Sequence, residues 1–200
     1  PALVYLFAKM LNNGQVNREH HLIAQIIELI HTATLIHDDI IDESKIRRGF
    51  TTVNEKWNSK TAVLTGDYFL ARALNKLAIL ENSKILTLFS NTVINVCIGE
   101  IRQSLDTQNT STDEYIEKLR RKTALLFAAG IESVALLNDK SSESIIKACR
   151  DYAINFGTAF QIIDDISDLT LTEKETGKPP LNDLRSGIIT LPIIFAVNEY

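Results

Sequence analysis

Apolar residues recur every three or four positions along most of this chain, the spacing of one face of an α-helix. The clearest case runs from Arg18 toward Asp42, where Leu22, Ile26, Leu29, Ile30, Ala33 and Ile36 form one stripe. The same spacing predicts a short helix over Ala2–Leu11, closed by N-N-G-Q with Gly14 as its C-cap. Further helices are expected over 60–80 and 83–106, from Ser111 toward Leu137, and from Ser141 to Asp168. A last one starts near Thr190, with Pro192 in its first turn. Ser111 and Glu114 have the spacing of a capping box. Polar segments separate these helices: a turn over 43–52, the loop T-Q-N-T-S-T, and T-L-T-E-K-E-T-G-K-P-P-L-N-D. No alternating strand pattern competes, and no repeat or low-complexity tract divides the chain. The expected fold is all-α, a single bundle of long antiparallel helices around a central cavity, with residues 1–200 as one domain. The chain opens on P-A-L-V-Y-L-F-A and closes on P-I-I-F-A-V-N-E-Y, so it is expected to be truncated at both ends.

Composition narrows the class only a little. At 200 residues, 45% hydrophobic and 23% charged, the chain has the make-up of a soluble globular protein with one sizeable core. A net charge of -4 without a basic stripe argues against nucleic acid as a partner. Cys97 and Cys149 lie inside apolar helical patterns and read as reduced core residues, which fits a reducing compartment. The longest uncharged run, Ile85 to Gly99, reads as too short to span a bilayer, and no secretory signal is visible.

Charge placement is more informative. The long helical stripe runs into L-I-H-D-D-I-I-D-E-S-K-I-R-R-G, with Asp38, Asp39 and Asp42 at its end. Asp38 and Asp42 are one helical turn apart and share a face, with Asp39 beside them. Three carboxylates there repel one another and face the negative end of the helix dipole, so a cation is expected to complete the cluster. The arrangement returns at Asp164, Asp165 and Asp168, after the apolar run F-G-T-A-F-Q-I-I. One D-D-x-x-D is more often a solvated acidic face; two copies, each behind an apolar run, are not. Two such clusters facing each other would hold oxygen-coordinated Mg²⁺ around a diphosphate. Arg47 and Arg48 follow the first cluster, with Gly49 freeing the backbone, and arginine pairs suit bidentate gripping of phosphate. The chemistry these parts suit is departure of diphosphate from carbon, leaving a carbocation that needs a dry apolar pocket.

These two stretches resemble the first and second aspartate-rich motifs of the trans-isoprenyl diphosphate synthases, the polyprenyl synthetases. The resemblance covers essentially the whole chain. It implies that Asp38, Asp39, Asp42, Asp164 and Asp165, with Asp168 nearby, bind about three Mg²⁺ ions on an allylic diphosphate. It implies that Arg47 contacts the allylic diphosphate and Arg48 that of isopentenyl diphosphate. Lys122-Thr123 matches the family's Lys-Thr, whose lysine touches the allylic diphosphate. Gln103 and Asp106 match a Gln/Asp pair facing the first motif, Phe160-Gln161 the Phe-Gln before the second, and Lys178 the lysine of the following loop. His31, by itself a core histidine, matches a position that binds isopentenyl diphosphate. His20, His21 and His37 read as structural or surface residues.

The resemblance also bears on the product. The residue five before the first aspartate forms the floor of the family's elongation pocket, where short-chain enzymes place an aromatic ring. Here it is Ala33, followed by Thr34, with Ile30 farther down, so the product is expected to be long, of the hexaprenyl to decaprenyl class. A short-chain farnesyl or geranylgeranyl synthase is the alternative. A homodimer or heterodimer is implied, with at most peripheral membrane contact for product release, in the cytoplasm or an organelle stroma. The family's G-K-x-x-R-P motif is represented only by Pro1, which removes a lysine and an arginine for isopentenyl diphosphate. Ile188 stands where short-chain members carry a further lysine. Other readings explain less. An HD-type phosphohydrolase, suggested by His37-Asp38, leaves the second cluster and the arginines without a role. A di-iron bundle needs a second Glu-x-x-His beside Glu28 and His31, and a terpene cyclase has a mixed second motif. A non-catalytic subunit of a heteromeric synthase would lose the aspartates that are intact here.

Overall fold

The computed structural model describes residues 1–105, 111–171, 181–185 and 187–199. The described residues are overwhelmingly helical. Residues Pro1–Phe89 and Ala129–Cys149 form one compact unit, and Ser90–Ala128 with Arg150–Tyr200 form another.

In the first unit, α1 (Ala2–Leu11) ends where Asn13 and Gly14 take positive φ, and the Gly14 amide returns to the Lys9 carbonyl at 2.8 Å. Gly14 therefore stops the helix as expected. Helix α2 (Arg18–Ile41) buries Ile23, Ile26, Ile30, Ala33 and Ile36, and packs along α4 (Ser59–Ile79). The Nε2 end of the His37 ring meets Gly66 of α4, where an added Cβ would overlap the ring. Only glycine lets the two helices approach there. Between α2 and α4 the structure differs from a plain polar turn. Strands β1 (Ile46–Arg47) and β2 (Phe50–Thr51) pair antiparallel, Arg47 opposite Phe50, and a single helical turn α3 (Val53–Lys56) follows. Two-residue strands are too short to leave an alternating pattern.

In the second unit, helix α6 (Thr112–Leu119) continues through a π-helical turn (Arg120–Ala124) into α7 (Leu125–Leu136), whose residues from Ala129 on belong to the first unit. Ser111 does occupy the N-cap of α6, but its side chain makes no cap hydrogen bond, so the expected capping box is not formed. Such a box does form at α2, where His20 Nδ1 accepts from the Asn17 amide at 3.2 Å. Tyr115, Leu119 and Ile194 make a buried cluster with Ile116, Ile162, Ile189 and Leu191 around it. Helix α8 (Glu143–Thr170) carries Phe156 and Phe160, which stack on each other and meet Phe127 of α7. A short helix α9 (Asn182–Arg185) and α10 (Leu191–Glu199) complete the described chain.

Helix α5 (Ser83–Leu105) corrects one expectation. Over Ser83–Arg102 it is long and apolar enough, by length and composition, to cross a membrane, because a few charges at its ends do not shorten the span. Thr92, Val96 and Gly99 of α5 are buried, and 28% of the span is buried inside the protein.

Candidate functional site

The buried stripe of α2 steps through Ile30, Ala33 and Ile36 and then lands on Asp39, which is 5% exposed. A three-residue step from an apolar face puts the next side chain on that same face, whatever its polarity. Asp38 and Asp42, one turn apart, fall together on one side of Asp39, half-buried and exposed respectively. Asp39 is paired inside the protein: Arg47 Nε donates to its Oδ1 at 2.7 Å. That bond uses Nε and leaves the terminal guanidinium nitrogens for another anion. Asn54 of α3 donates to the Asp39 and Ser44 carbonyls at 3.2 and 3.1 Å, tying α3 to the end of α2. Arg48 and Gly49 both have positive φ and form the two-residue turn of the β1–β2 hairpin. A non-glycine residue held in the left-handed region stores strain, a feature of functional loops. Arg48 projects there exposed. His31 is half-buried, and its imidazole is held below the usual range first by burial and then by the positive charges of Arg48 and Arg47, with Glu28 opposing. Neutral at physiological pH, it keeps one ring nitrogen as a donor and the other as an acceptor.

Expected chain-length residues sit one to two turns earlier on α2. Ile30 and Ala33 are buried, and half-buried Thr34 donates its hydroxyl to the His31 carbonyl at 2.8 Å.

In the second unit the same stripe arithmetic recurs. Ala153 and Gly157 of α8 are buried, and four-residue steps carry the line through Gln161 to Asp165, 7% exposed. Asp164 is exposed. Both oxygens of Asp165 accept hydrogen bonds, from Tyr115 Oη at 2.6 Å and from Gln161 Nε2 at 2.9 Å. Gln161 Nε2 also reaches Asp164 Oδ2 at 3.3 Å, and its Oε1 accepts from Thr123 Oγ1 at 2.9 Å. Burial raises the Asp165 carboxyl pKa, while Gln161, Tyr115 and the charge of Lys118 pull it back. Lys118 is held below the usual lysine range, first by burial and then by the charge of Lys122. Lys122 and Thr123 lie in the π-helical turn, and Lys122 Nζ pairs with Glu100 Oε1 at 2.6 Å. π-turns inside helices are frequent at functional sites, since the extra residue re-aims the side chains around it. Asp168 accepts the Asp183 amide on Oδ2 at 3.1 Å and the Leu181 amide on its carbonyl at 3.0 Å, anchoring α9. Phe160 is exposed against the ring ladder. Asp106, Lys178 and the side chain of Gln103 lie outside the described residues.

Tyr115, Lys118, Glu100 and Asn54 were not among the expected site residues. The signal for the buried aspartates was present in the stripes, but nothing local marks Tyr115 or Glu100 as their neighbours' partners.

Among the described residues, no three Asp, Glu, His or Cys side chains converge into a ready-made metal cage. Mg²⁺ keeps several waters and takes one or two carboxylates plus phosphate oxygens, whereas Zn²⁺ and structural Ca²⁺ want fuller protein shells. The donors are carboxylate oxygens at helix ends, with arginine and lysine nearby in each unit, so the residues fit Mg²⁺ brought together with a phosphate ligand.

A family model described as polyprenyl synthetase matches residues 1–200. Solanesyl diphosphate synthase 1, chloroplastic, from Arabidopsis thaliana is 40% identical over all of this chain and half of its own length. Heptaprenyl diphosphate synthase component 2 from Bacillus subtilis (strain 168) is 38% identical over 97% of this chain and 56% of its own. The crystal structure of heptaprenyl diphosphate synthase from Staphylococcus aureus superposes with a TM-score of 0.93 at 37% identity, covering this whole chain and 63% of that one. The chain thus spans between half and two thirds of the length of these relatives.

Proposed function

The chain belongs to the polyprenyl synthetase family, and from that premise we propose that it carries out Mg²⁺-dependent condensation of isopentenyl diphosphate with an allylic diphosphate, making a long-chain all-trans polyprenyl diphosphate. The observation that carries this reading is the end-to-end family match with both D-D-x-x-D clusters intact. The long-chain assignment draws support from relatives named for solanesyl and heptaprenyl products and from the small Ala33.

Asp38, Asp42 and Asp164, with Asp168 nearby, would hold Mg²⁺. When bound, Mg²⁺ supplies Lewis-acid neutralisation of the leaving diphosphate. Asp39 is bonded to Arg47 within the first unit, and Asp165 to Gln161 within the second. Arg47, aimed by Asp39, and Lys122 grip the allylic diphosphate, while Arg48 and neutral His31 receive that of isopentenyl diphosphate. The allylic C–O bond breaks and the electron pair leaves with diphosphate. The isopentenyl double bond attacks the allylic cation, forming the new C–C bond, and the departing diphosphate takes the proton. Chromatography of radiolabelled products from the full-length enzyme tests this: polyprenyl diphosphates longer than geranylgeranyl are expected, and absence of any condensation product rejects it.

The name of the Bacillus subtilis relative, a component 2, favours one further reading, that this chain acts with a partner subunit. An inactive full-length protein that regains turnover on adding a second polypeptide would select it.

A further inference from the structure

We propose that Tyr115 is a positioning residue of the diphosphate site, acting through Asp165 to set the amide of Gln161 and, through it, the hydroxyl of Thr123. This rests on the prenyl-transfer reading above.

The geometry is a chain of three hydrogen bonds across α6, α8 and the π-helical turn. Tyr115 Oη donates to Asp165 Oδ2 at 2.6 Å, Gln161 Nε2 donates to Asp165 Oδ1 at 2.9 Å, and Thr123 Oγ1 donates to Gln161 Oε1 at 2.9 Å. Each link dictates the next. A carboxylate only accepts, so Gln161 must turn its NH₂ toward Asp165 and Asp164. Its carbonyl is then left to face Thr123, whose hydroxyl must donate. Flipping the amide would set a carbonyl oxygen against two carboxylates. What stops Asp165 from turning away is its other oxygen, held by the phenol at the short distance of a charge-assisted bond. Tyr115 is only 4% exposed, so water does not substitute for that donor.

The competing explanation is packing, since the Tyr115 ring lies in the cluster with Leu119 and Ile194. Phenylalanine would fill that space equally well. Tyr115→Phe in the full-length enzyme separates the two roles. Loss of the hydroxyl should lower kcat about tenfold while KM for the allylic diphosphate stays within about twofold, because Gln161 is misplaced but the cationic grips remain. Combined with Gln161→Ala, it should add nothing beyond Gln161→Ala alone, since both cut the same chain. If Tyr115→Phe also lowers the melting temperature, Ile194→Val perturbs the same cluster without touching the hydroxyl, and it should leave kcat unchanged. Wild-type kcat in Tyr115→Phe, multiplying effects in the double variant, or an equal loss in Ile194→Val each overturn the proposal and leave the prenyl-transfer reading standing. A wild-type enzyme that forms no condensation product takes both down.

Discussion

At the scale of single residues, the site is governed by which carboxylates are turned inward. Asp39 is buried and depends on Arg47, whose guanidinium is about a quarter exposed. Removing the charge from Asp39 leaves that guanidinium short of its partner. Asp39→Asn should therefore cost on the order of 2 kcal/mol, below the range for a fully buried pair because solvent reaches the arginine. It should also raise KM for the allylic diphosphate, as Arg47 loses its aim. Urea unfolding and steady-state kinetics on the one variant check both effects, and an unchanged KM would detach Arg47 from substrate binding. His20 makes a second prediction. It is buried, accepts the Asn17 amide, and has its pKa lowered from 6.5 by burial first, with Glu19 opposing and His21 adding. The unfolded state then binds more protons just below pH 6.5, so stability is full above that value and falls as pH drops through it. The half-buried His31 acts in the same direction. The urea midpoint should decline between pH 7.5 and 5.5, and His20→Gln should flatten part of that slope.

At the scale of elements, α2 does several jobs with one register. The stripe that buries Ile30 and Ala33 also carries Asp39 inward and leaves Asp38 and Asp42 together on one flank. Ala33 is wholly buried, so a larger side chain there must displace neighbours. Ala33→Phe should cost about 1–3 kcal/mol of stability and shorten the polyprenyl product. Thr34→Phe, from a half-buried position, should shorten it at a smaller cost. Product chromatography with a melting curve on each variant reads both, and full-length product from a folded Ala33→Phe enzyme would refute the floor assignment. Most helices were legible from periodicity alone: α1, α2 and α4 fall within a residue or two of the spans their apolar spacing predicts. The hairpin and α3 were not, because elements this short carry no period. The capping box expected at Ser111 failed for a related reason. Motif spacing permits a cap, but the bond forms only when the local backbone brings the groups together.

At the scale of the molecule, the first aspartate cluster belongs to one compact unit and the second to the other. The proposed reaction requires both to serve a single diphosphate. Asp38→Ala and Asp164→Ala should each lower kcat on the order of a thousandfold, and the double variant should be little worse than either alone, as for groups that act as one unit. Effects that multiply would mean that the clusters work separately. Chelation of Mg²⁺ should abolish turnover, with restoration on adding it back.

The sequence by itself determined the helices, the two aspartate clusters, the arginine pair and the family, because each is written in spacing along a single segment. It also contained, in the stripe through Ile36 to Asp39 and through Gly157 to Asp165, the information that one aspartate of each cluster lies inside. Only the tertiary structure decided what those buried carboxylates meet: Arg47 eight residues on, and Tyr115 fifty residues back. A helix register fixes the direction a side chain takes, but a hydrogen bond needs a donor within about 3 Å, and that is settled by how separate helices pack.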